Sequence, residues 1–307
     1  MTRFWLTRLV RTGAVFLGVS VLVFSVMRLV PGDPAVLLLG SQASAQDLER
    51  LRRSLGLDQP LYVQFLRWLP QMLTGHLGTS IFTGQPVLTE VLPRLWASLE
   101  LAAFGTGIGV AAGLALGVIS GARRHSVLDR CATFVAVFSI SMPAFWLGLI
   151  LIYVFSVLLR WFPSGGRAGL ESLVLPGVAI ATWTMGLVAR MTRSGVLETL
   201  GQEYVRTAKA KGGTEARVVY KHVLRNALLP VVTVLGVQFG VVLSSAVGVE
   251  IVFAWPGIAR QIAQAILERD YPVIQAAVLI VAAVFVVTNL VVDLVVGYLD
   301  PRIRYHA

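Results

Sequence analysis

Cysteine, histidine clusters and nucleotide-binding motifs are scarce or missing in this 307-residue sequence. A single cysteine, Cys131, excludes a disulfide within the chain. The four histidines are scattered and there is no Cys-x-x-Cys pair, so the sequence predicts no metal site. No Gly-x-x-x-x-Gly-Lys-Ser/Thr motif occurs, which excludes a phosphate-binding P-loop in this chain.

Charge is also scarce. Only 14% of the residues are charged and 56% are apolar, whereas soluble domains carry about 25% charged residues. A helix needs about 20 apolar residues to cross a bilayer. Six charge-free stretches approach or exceed that length, which predicts an all-α, multi-pass membrane protein with six transmembrane helices. The stretches are 12–27, 101–122, 131–159, 172–189, 226–249 and 271–292.

The first stretch has the basic leader of a signal peptide, but its apolar core is longer than usual and no small-x-small cleavage site follows it. We therefore expect it to be retained as a transmembrane helix. Residues 1–30 then form this helix, 31–97 an extracytoplasmic insertion and 98–307 a five-helix core.

The net charge of +10 has a topological explanation. If both termini and the segments 123–130 and 190–225 lie on the same side of the membrane, that side holds 16 of the 26 basic residues and five of the 16 acidic ones. Basic loops stay in the cytoplasm. The distribution thus predicts cytoplasmic N- and C-termini and removes the need for a nucleic-acid partner.

The insertion contains two predicted short helices, one from Asp47 to Leu55, closed by Gly56, and one starting at Pro60. Pro31-Gly-Asp-Pro34 is expected to break the helix before them. Two interpretations stay open: an interfacial pair anchored by Trp68, or a lid that meets an external partner.

The second span carries glycines at a strict spacing of four. Small residues at this spacing clear one face of a helix, so that a neighbouring backbone can approach closely in lipid. We therefore predict a packing face formed by Gly105, Gly109, Gly113, Gly117 and Gly121.

A cytoplasmic block between the fourth and fifth spans holds all three lysines of the protein. Helix-favouring residues from Glu203 to Lys211 are stopped by Gly212-Gly213, and Thr214 is suited to cap a second helix. We interpret this helix–corner–helix as a docking lever for a cytoplasmic partner. We expect the apolar residues Tyr204, Val205 and Ala208 to be buried against the partner. Arg206 and Lys209 are expected to pair with acidic residues at the rim of the partner's binding site. The alternative is a solvated basic loop that obeys only the positive-inside rule.

After the fifth span, the chain must turn at Pro256-Gly257, because this pair cannot continue a helix. Glu250 at the end of the span is predicted to face either an aqueous cavity or the membrane interface.

These residues resemble a known family. Glu203 to Pro230 is similar to the cytoplasmic EAA loop of permease subunits in bacterial binding-protein-dependent ABC importers, within a segment at 198–230. Arg206-Thr207-Ala208 stand where the general pattern has Glu-Ala-Ala, which suits the dipeptide/oligopeptide/nickel class. Five further motifs resemble that class, in chain order: Pro31-Gly-Asp-Pro34, Leu55-Gly-Leu-Asp-Gln-Pro-Leu61, Gly75-His-Leu-Gly-Thr-Ser80, Glu250-x-x-Phe253 with Pro256-Gly257, and Leu299-Asp-Pro-Arg302.

The resemblance implies half of a translocation pathway in a bacterial inner membrane. A second, usually non-identical permease would complete the pathway, an external binding protein would deliver the solute, and two ATPase subunits would bind ATP and Mg. This chain itself would be no enzyme and hold no cofactor. The resemblance implies an ATPase-docking role for Glu203, Tyr204, Val205, Arg206, Thr207, Ala208, Lys209, Gly212 and Gly213. A pathway or outer-gate role is expected for Glu250, Phe253, Trp255, Pro256 and Gly257.

Peptides are the predicted solute, with nickel, glutathione or another small solute as alternatives. An ion-coupled secondary transporter is a further alternative, although the spans hold almost no acids for a coupling ion. An intramembrane enzyme would need a nucleophile beside a base, and all four histidines lie outside the predicted spans.

Overall fold

The computed structural model describes residues 2–29, 36, 39, 43–54, 56–212 and 214–299. Over these residues it is helical, apart from turns and one isolated bridge between Thr79 and Pro86. Helix α1 spans Thr2–Leu29, α2 Ala45–Ser54, α3 Leu61–Leu73, α4 Val87–Ala122 and α5 Val127–Ser141. Helix α6, Ala144–Leu151, continues as a π-helix over Ile152–Leu158, and α7 spans Leu170–Leu200. The remaining helices are α8 Glu203–Ala210, α9 Glu215–Val218, a π-helix Val219–Val223, α10 Leu224–Ala227, α11 Leu229–Ser245, α12 Val247–Val252, α13 Ile258–Glu268 and α14 Tyr271–Leu299.

Four of the described helices are long and apolar enough to cross a membrane: α1, α4, α7 and α14. The pair α5–α6 makes a fifth candidate if it is counted as one span. The predicted fifth span, 226–249, corresponds mainly to the 17-residue helix α11, which a turn at Ala246 separates from α12. The protein is therefore an all-helical, multi-pass membrane protein.

The predicted third span, 131–159, is not one continuous helix, because α5 and α6 meet at a bend of 105°. Pro143 has no N–H to donate to the preceding turn and disfavours helical backbone at the residue before it. Met142 accordingly adopts an extended conformation (φ −91°, ψ 126°), and α6 begins directly after the proline. Proline chemistry thus breaks an otherwise continuous apolar stretch.

The chain divides into two compact units, Met1–Trp96 with Arg260–Val287, and Ala97–Ala259 with Thr288–Ala307. In the first unit, Phe24 of α1 contacts Phe65 and Trp68 of α3, with ring centroids 5.4 Å apart in both pairs. The predicted short helices of the insertion are present as α2 and α3, and Gly56 takes the left-handed conformation expected after α2 (φ 65°). The motif Pro31–Pro34 lies outside the described residues.

A buried carboxylate fixes the loop before α4 in the same unit. Asp270 is 2% exposed and accepts hydrogen bonds from the Ser80 hydroxyl and from the backbone N–H groups of Ile81 and Phe82. Since a buried carboxylate must be paired, these bonds determine the path of the loop.

Candidate functional site

The predicted docking helix is present as α8, a short helix directly after α7. Its outward side is polar and aromatic: Glu203, Arg206 and Thr207 are exposed, and Tyr204 is 43% exposed. Its inward side is formed by Val205, fully buried, and Ala208, partly buried. The spacing of three residues places both on one face of the helix.

The inward side packs on the chain itself. Val205 shares an apolar cluster with Val196 of α7 and with Val218, Val223 and Ala227 of the segment after the corner. The expectation that Val205 buries area in a partner is therefore corrected, because intrachain packing already covers it; Ala208 is only partly covered, and its contact with a partner stays a prediction. The exposed side of α8 is formed by Glu203, Tyr204, Arg206 and Thr207.

The corner after α8 favours glycine. Gly212 has φ +83°, a left-handed conformation that residues other than glycine and asparagine rarely adopt. A Cβ at this position would have no atom within 4 Å, so the requirement is one of backbone conformation and not of space. Gly213 lies outside the described residues, and α9 begins at Glu215.

The second half of the loop leads towards α11 in successive helical pieces, with the π-helix Val219–Val223 between α9 and α10. The predicted helix, corner and second helix are thus present, although the second helix is segmented. Because its buried residues belong to the same cluster as Val205, α8 is held against α7 and against the segment that leads to α11.

Three side chains of the loop around Glu250 are buried inside its own unit. Glu250 and Trp255 are 0% exposed and Phe253 is 1% exposed. Neither alternative predicted for Glu250 is correct, since its carboxylate faces neither an aqueous cavity nor an interface in this conformation. The pathway or gate role of this loop stays a prediction.

Hydrogen bonds explain that burial. The Ser98 hydroxyl donates to Glu250 Oε1 over 2.5 Å and accepts from the Ile258 N–H over 2.8 Å. The Trp255 indole Nε1 donates to the Ala97 carbonyl over 3.0 Å. A Cβ on Gly257 would overlap the Glu250 carboxylate, so the glycine provides the space that the acid occupies. We call Ser98, Glu250, Trp255 and Gly257 the latch.

The five spaced glycines all lie on the face of α4 that contacts α7. A Cβ at Gly109 would lie 2.7 Å from the Ala181 carbonyl oxygen, and one at Gly117 would lie 2.6 Å from that of Ala189. Each later glycine of α4 contacts a later residue of α7, so the two helices run parallel. We call this contact between the five glycines and α7 the glycine seam. By contrast, a Cβ at Gly107 on the same helix would meet nothing within 4 Å.

A cavity of about 500 Å³ lies where two helix breaks meet in the second unit. It is lined by the α5–α6 break at Ser141, Met142 and Pro143, by Trp183 of α7, and by Ala246 between α11 and α12. None of its lining residues is charged. The sequence analysis did not identify this cavity; the signal available was Pro143 inside an apolar stretch.

A polar group that no sequence pattern predicted surrounds Asp129. Asp129 is 5% exposed and receives a two-point contact from Arg193, Nε to Oδ1 at 2.8 Å and Nη2 to Oδ2 at 3.1 Å. The Ser120 hydroxyl and the His125 N–H also donate to its carboxylate, at 2.5 and 3.0 Å. We call this group the Asp129 clamp. No local sequence signal pairs Asp129 with Arg193.

Two family descriptions match this chain. Residues 113–305 match the family described as binding-protein-dependent transport system inner membrane component. Residues 1–102 match the family of the N-terminal part of such membrane components. The chain is similar to the dipeptide transport system permease protein DppB of Alkalihalophilus pseudofirmus, with 40% identity covering 99% of this chain and 100% of that protein.

Two further proteins extend the comparison. The glutathione transport system permease protein GsiC of Salmonella paratyphi A is 42% identical, covering 99% of this chain and 100% of that protein. The solved MetNI methionine ABC transporter in an inward-facing conformation has a chain that matches with a TM-score of 0.60 at 19% identity, covering 70% of this chain and 98% of that one. At that identity the likeness concerns the fold. This chain therefore belongs to the family of inner membrane components of binding-protein-dependent transport systems.

Proposed function

We propose that this chain is one of two permease subunits that form the translocation pathway of an ATP-driven importer for di- or oligopeptides. The observation that carries the proposal is the full-length similarity to a dipeptide permease, at 40% identity. The 42% identity to a glutathione permease favours glutathione, itself a small peptide, as the second candidate. Nickel or another small solute is a third possibility without specific support from the relatives.

We propose a topology of six spans with both termini in the cytoplasm. The parallel course of α4 and α7 supports it, because a chain that leaves α4 and enters α7 in the same direction must cross back between them. The bent pair α5–α6 then counts as one crossing of the membrane. Helix α11 is the fifth span in chain order and brings the total to six. On this proposal residues 1–30, 31–97 and 98–307 are the first helix, the external insertion and the core.

Docking of an ATPase subunit is proposed for the outward side of α8. A short helix of which one face is held by its own chain and the other is open is suited to enter a groove of a partner. Tyr204 offers apolar area, and Arg206 offers a cation that can pair with a carboxylate of a partner. Lys209, Gly212 and Gly213 were predicted with this group and stay part of the proposal.

Force on α8 would pass to the membrane through the Val205 cluster. That cluster includes Val196 of α7 and residues of the segment leading to α11, so movement of α8 bears on two spans. ATP and Mg would bind in the two ATPase subunits, a second and non-identical permease would complete the pathway, and an external binding protein would deliver the solute.

The test combines assembly and uptake. The tagged chain, expressed with its partner subunits, should co-purify with ATPase subunits and support ATP-dependent uptake of a labelled dipeptide. We expect Gly212→Val to reduce both, because a β-branched residue is strained at φ +83°. Gly212→Asn is the matched control and should retain both, since asparagine tolerates this conformation.

Three outcomes would contradict the proposal. Uptake by the purified chain in liposomes without any ATPase would exclude the importer mechanism. Uptake of labelled glutathione but of no other peptide would select the second candidate. Normal ATPase yield and normal uptake in Gly212→Val would contradict the role of the lever.

A further inference from the structure

The Asp129 clamp lies at the end of α7 from which the docking helix starts. Arg193 is three residues before Val196, and Val196 belongs to the apolar cluster that holds Val205 of α8. A Cβ on Gly121 of α4 would also contact Val196, at 2.7 Å. The last turns of α7 are therefore held by α8 through apolar packing, and by α4 and α5 through the glycine seam and the clamp.

The clamp is built to resist separation of these helices. Arg193 approaches Asp129 with two parallel N–H donors, a geometry that fixes orientation as well as distance. Ser120 at the end of α4 donates to the same carboxylate. The Asp129 backbone N–H in turn donates to Ser126, which caps α5. The Asp129 carboxylate thus connects the end of α4, the start of α5 and Arg193, about two turns before the end of α7.

Helix α5 leads from this clamp to the uncharged cavity. Its far end, Ser141, lies at the 105° break, and Ser141, Met142 and Pro143 line the cavity. Broken helices at membrane depth are tolerated where they line a cavity or are buried in protein, and transporter sites are built from such helices. A displacement of α5 would therefore change the cavity wall.

We propose that Asp129 and Arg193 are positioning residues that couple the docking helix α8 to α5, and through α5 to the cavity at the α5–α6 break. The proposal rests on the proposed function. It adds a second route for the movement of α8, beside the direct connection to α11. Neither residue contacts ATP or solute in this role; they act by keeping α5 and α7 moving as one body.

The test uses the assembled complex with its ATPases and binding protein, reconstituted in liposomes with a labelled dipeptide. Arg193→Gln and Asp129→Asn should leave basal ATP hydrolysis unchanged. They should lower its stimulation by the loaded binding protein, and the uptake per ATP, by about fivefold or more, as expected when a coupling between sites is lost. Arg193→Lys keeps the positive charge but cannot make the two-point contact, so it should lower the stimulation and the uptake per ATP by an intermediate amount.

Arg190→Gln is the matched control. Arg190 lies on the same helix one turn earlier and is exposed, and the structure gives it no bond to Asp129. Its variant should behave like the unaltered protein. Equal losses in Arg190→Gln and Arg193→Gln would overturn the proposal, because they would reflect charge alone.

A distance measurement separates coupling from general damage. Cys131 is exposed on α5, two residues after Asp129, and is the only cysteine of the sequence, so it can carry one spin label. A second label on Ala210→Cys, at the exposed end of α8 and outside the residues assigned to docking, reports on α8. The distance between the labels should stay constant on ATP binding in the unaltered protein and should change in Arg193→Gln.

The outcomes are distinguishable. If no ATPase assembles with the unaltered chain, the proposed function fails. If the unaltered complex transports, and both clamp variants keep normal ATPase stimulation and a constant distance between the labels, the inference is wrong while the proposed function stands. If the clamp variants do not assemble, Arg193→Lys decides, and normal stimulation in that variant overturns the inference.

Discussion

The glycine seam and the latch are both tightly packed, but the seam is formed by contact between helix backbones and the latch by a buried, hydrogen-bonded carboxylate. In the seam, α4 and α7 approach until glycine positions meet backbone carbonyl oxygens, and a regular spacing of four produces the contact. In the latch, a fully buried glutamate fills the space left by Gly257 and is held by Ser98, 152 positions earlier in the chain.

The difference shows how a glycine can serve two purposes. In the seam glycine admits a neighbouring backbone, and the contact is repeated along the helix. In the latch it admits a polar side chain, and the gain depends on hydrogen bonds that compensate the buried carboxylate. We therefore expect substitutions in the seam to separate helices, and substitutions in the latch to disturb one local network.

The largest effect is expected in the seam. A methyl group at Gly117 would lie 2.5 Å from Thr192 Cβ and 2.6 Å from the Ala189 carbonyl oxygen, and backbone cannot yield as a side-chain tip can. Gly117→Ala should therefore lower the free energy of unfolding by about 3 kcal/mol, the upper part of the range for overpacking. Thermal unfolding of the detergent-purified protein would measure it.

Gly107→Ala is the control for the seam, since it lies on the same helix with open space around its Cβ. Alanine favours helix over glycine by about 1 kcal/mol, so this variant should be neutral or more stable. A similar loss in both variants would mean that helix propensity and not packing governs α4.

A smaller effect is expected in the latch. Gly257→Ala should cost about 2 kcal/mol, because its methyl group must displace the Glu250 carboxylate from Ser98. Combining it with Glu250→Ala, which removes the displaced group, should cost less than the sum of the single changes. Strict additivity in this double-mutant cycle would show that the two positions do not share one space.

The smallest effect is expected for the hydroxyl that bridges the latch. Ser98→Ala removes the donor to Glu250 and the acceptor for the Ile258 N–H, at a cost of about 1 kcal/mol in the same unfolding measurement. Ser141→Ala is the matched control, because the Ser141 hydroxyl bonds only locally to the Val137 carbonyl in the structure and is exposed. Equal losses would contradict a special role for Ser98.

Much of the architecture was readable from local patterns. Charge-free stretches located four helices that are long and apolar enough to cross a membrane, and a fifth candidate that Pro143 divides, whereas the predicted fifth span gave a helix of only 17 residues. The docking helix was predicted from its propensities and its terminal glycines, and α8 ends one residue before Lys211. The direction of its apolar face was predicted wrongly, because amphipathicity shows that a face is buried without showing by what.

The sequence by itself determined which segments are apolar enough to enter a membrane, where the basic residues concentrate along the chain, and that one face of α4 carries glycines at a spacing of four. These features follow from composition and from the helical period, which act over a few residues. Only the tertiary structure decided that Val205 turns inward, that Glu250 is buried beside Ser98, and that Asp129 meets Arg193. The last two pairs are 152 and 64 positions apart, and contacts at such separation arise from packing between helices, for which no local pattern exists.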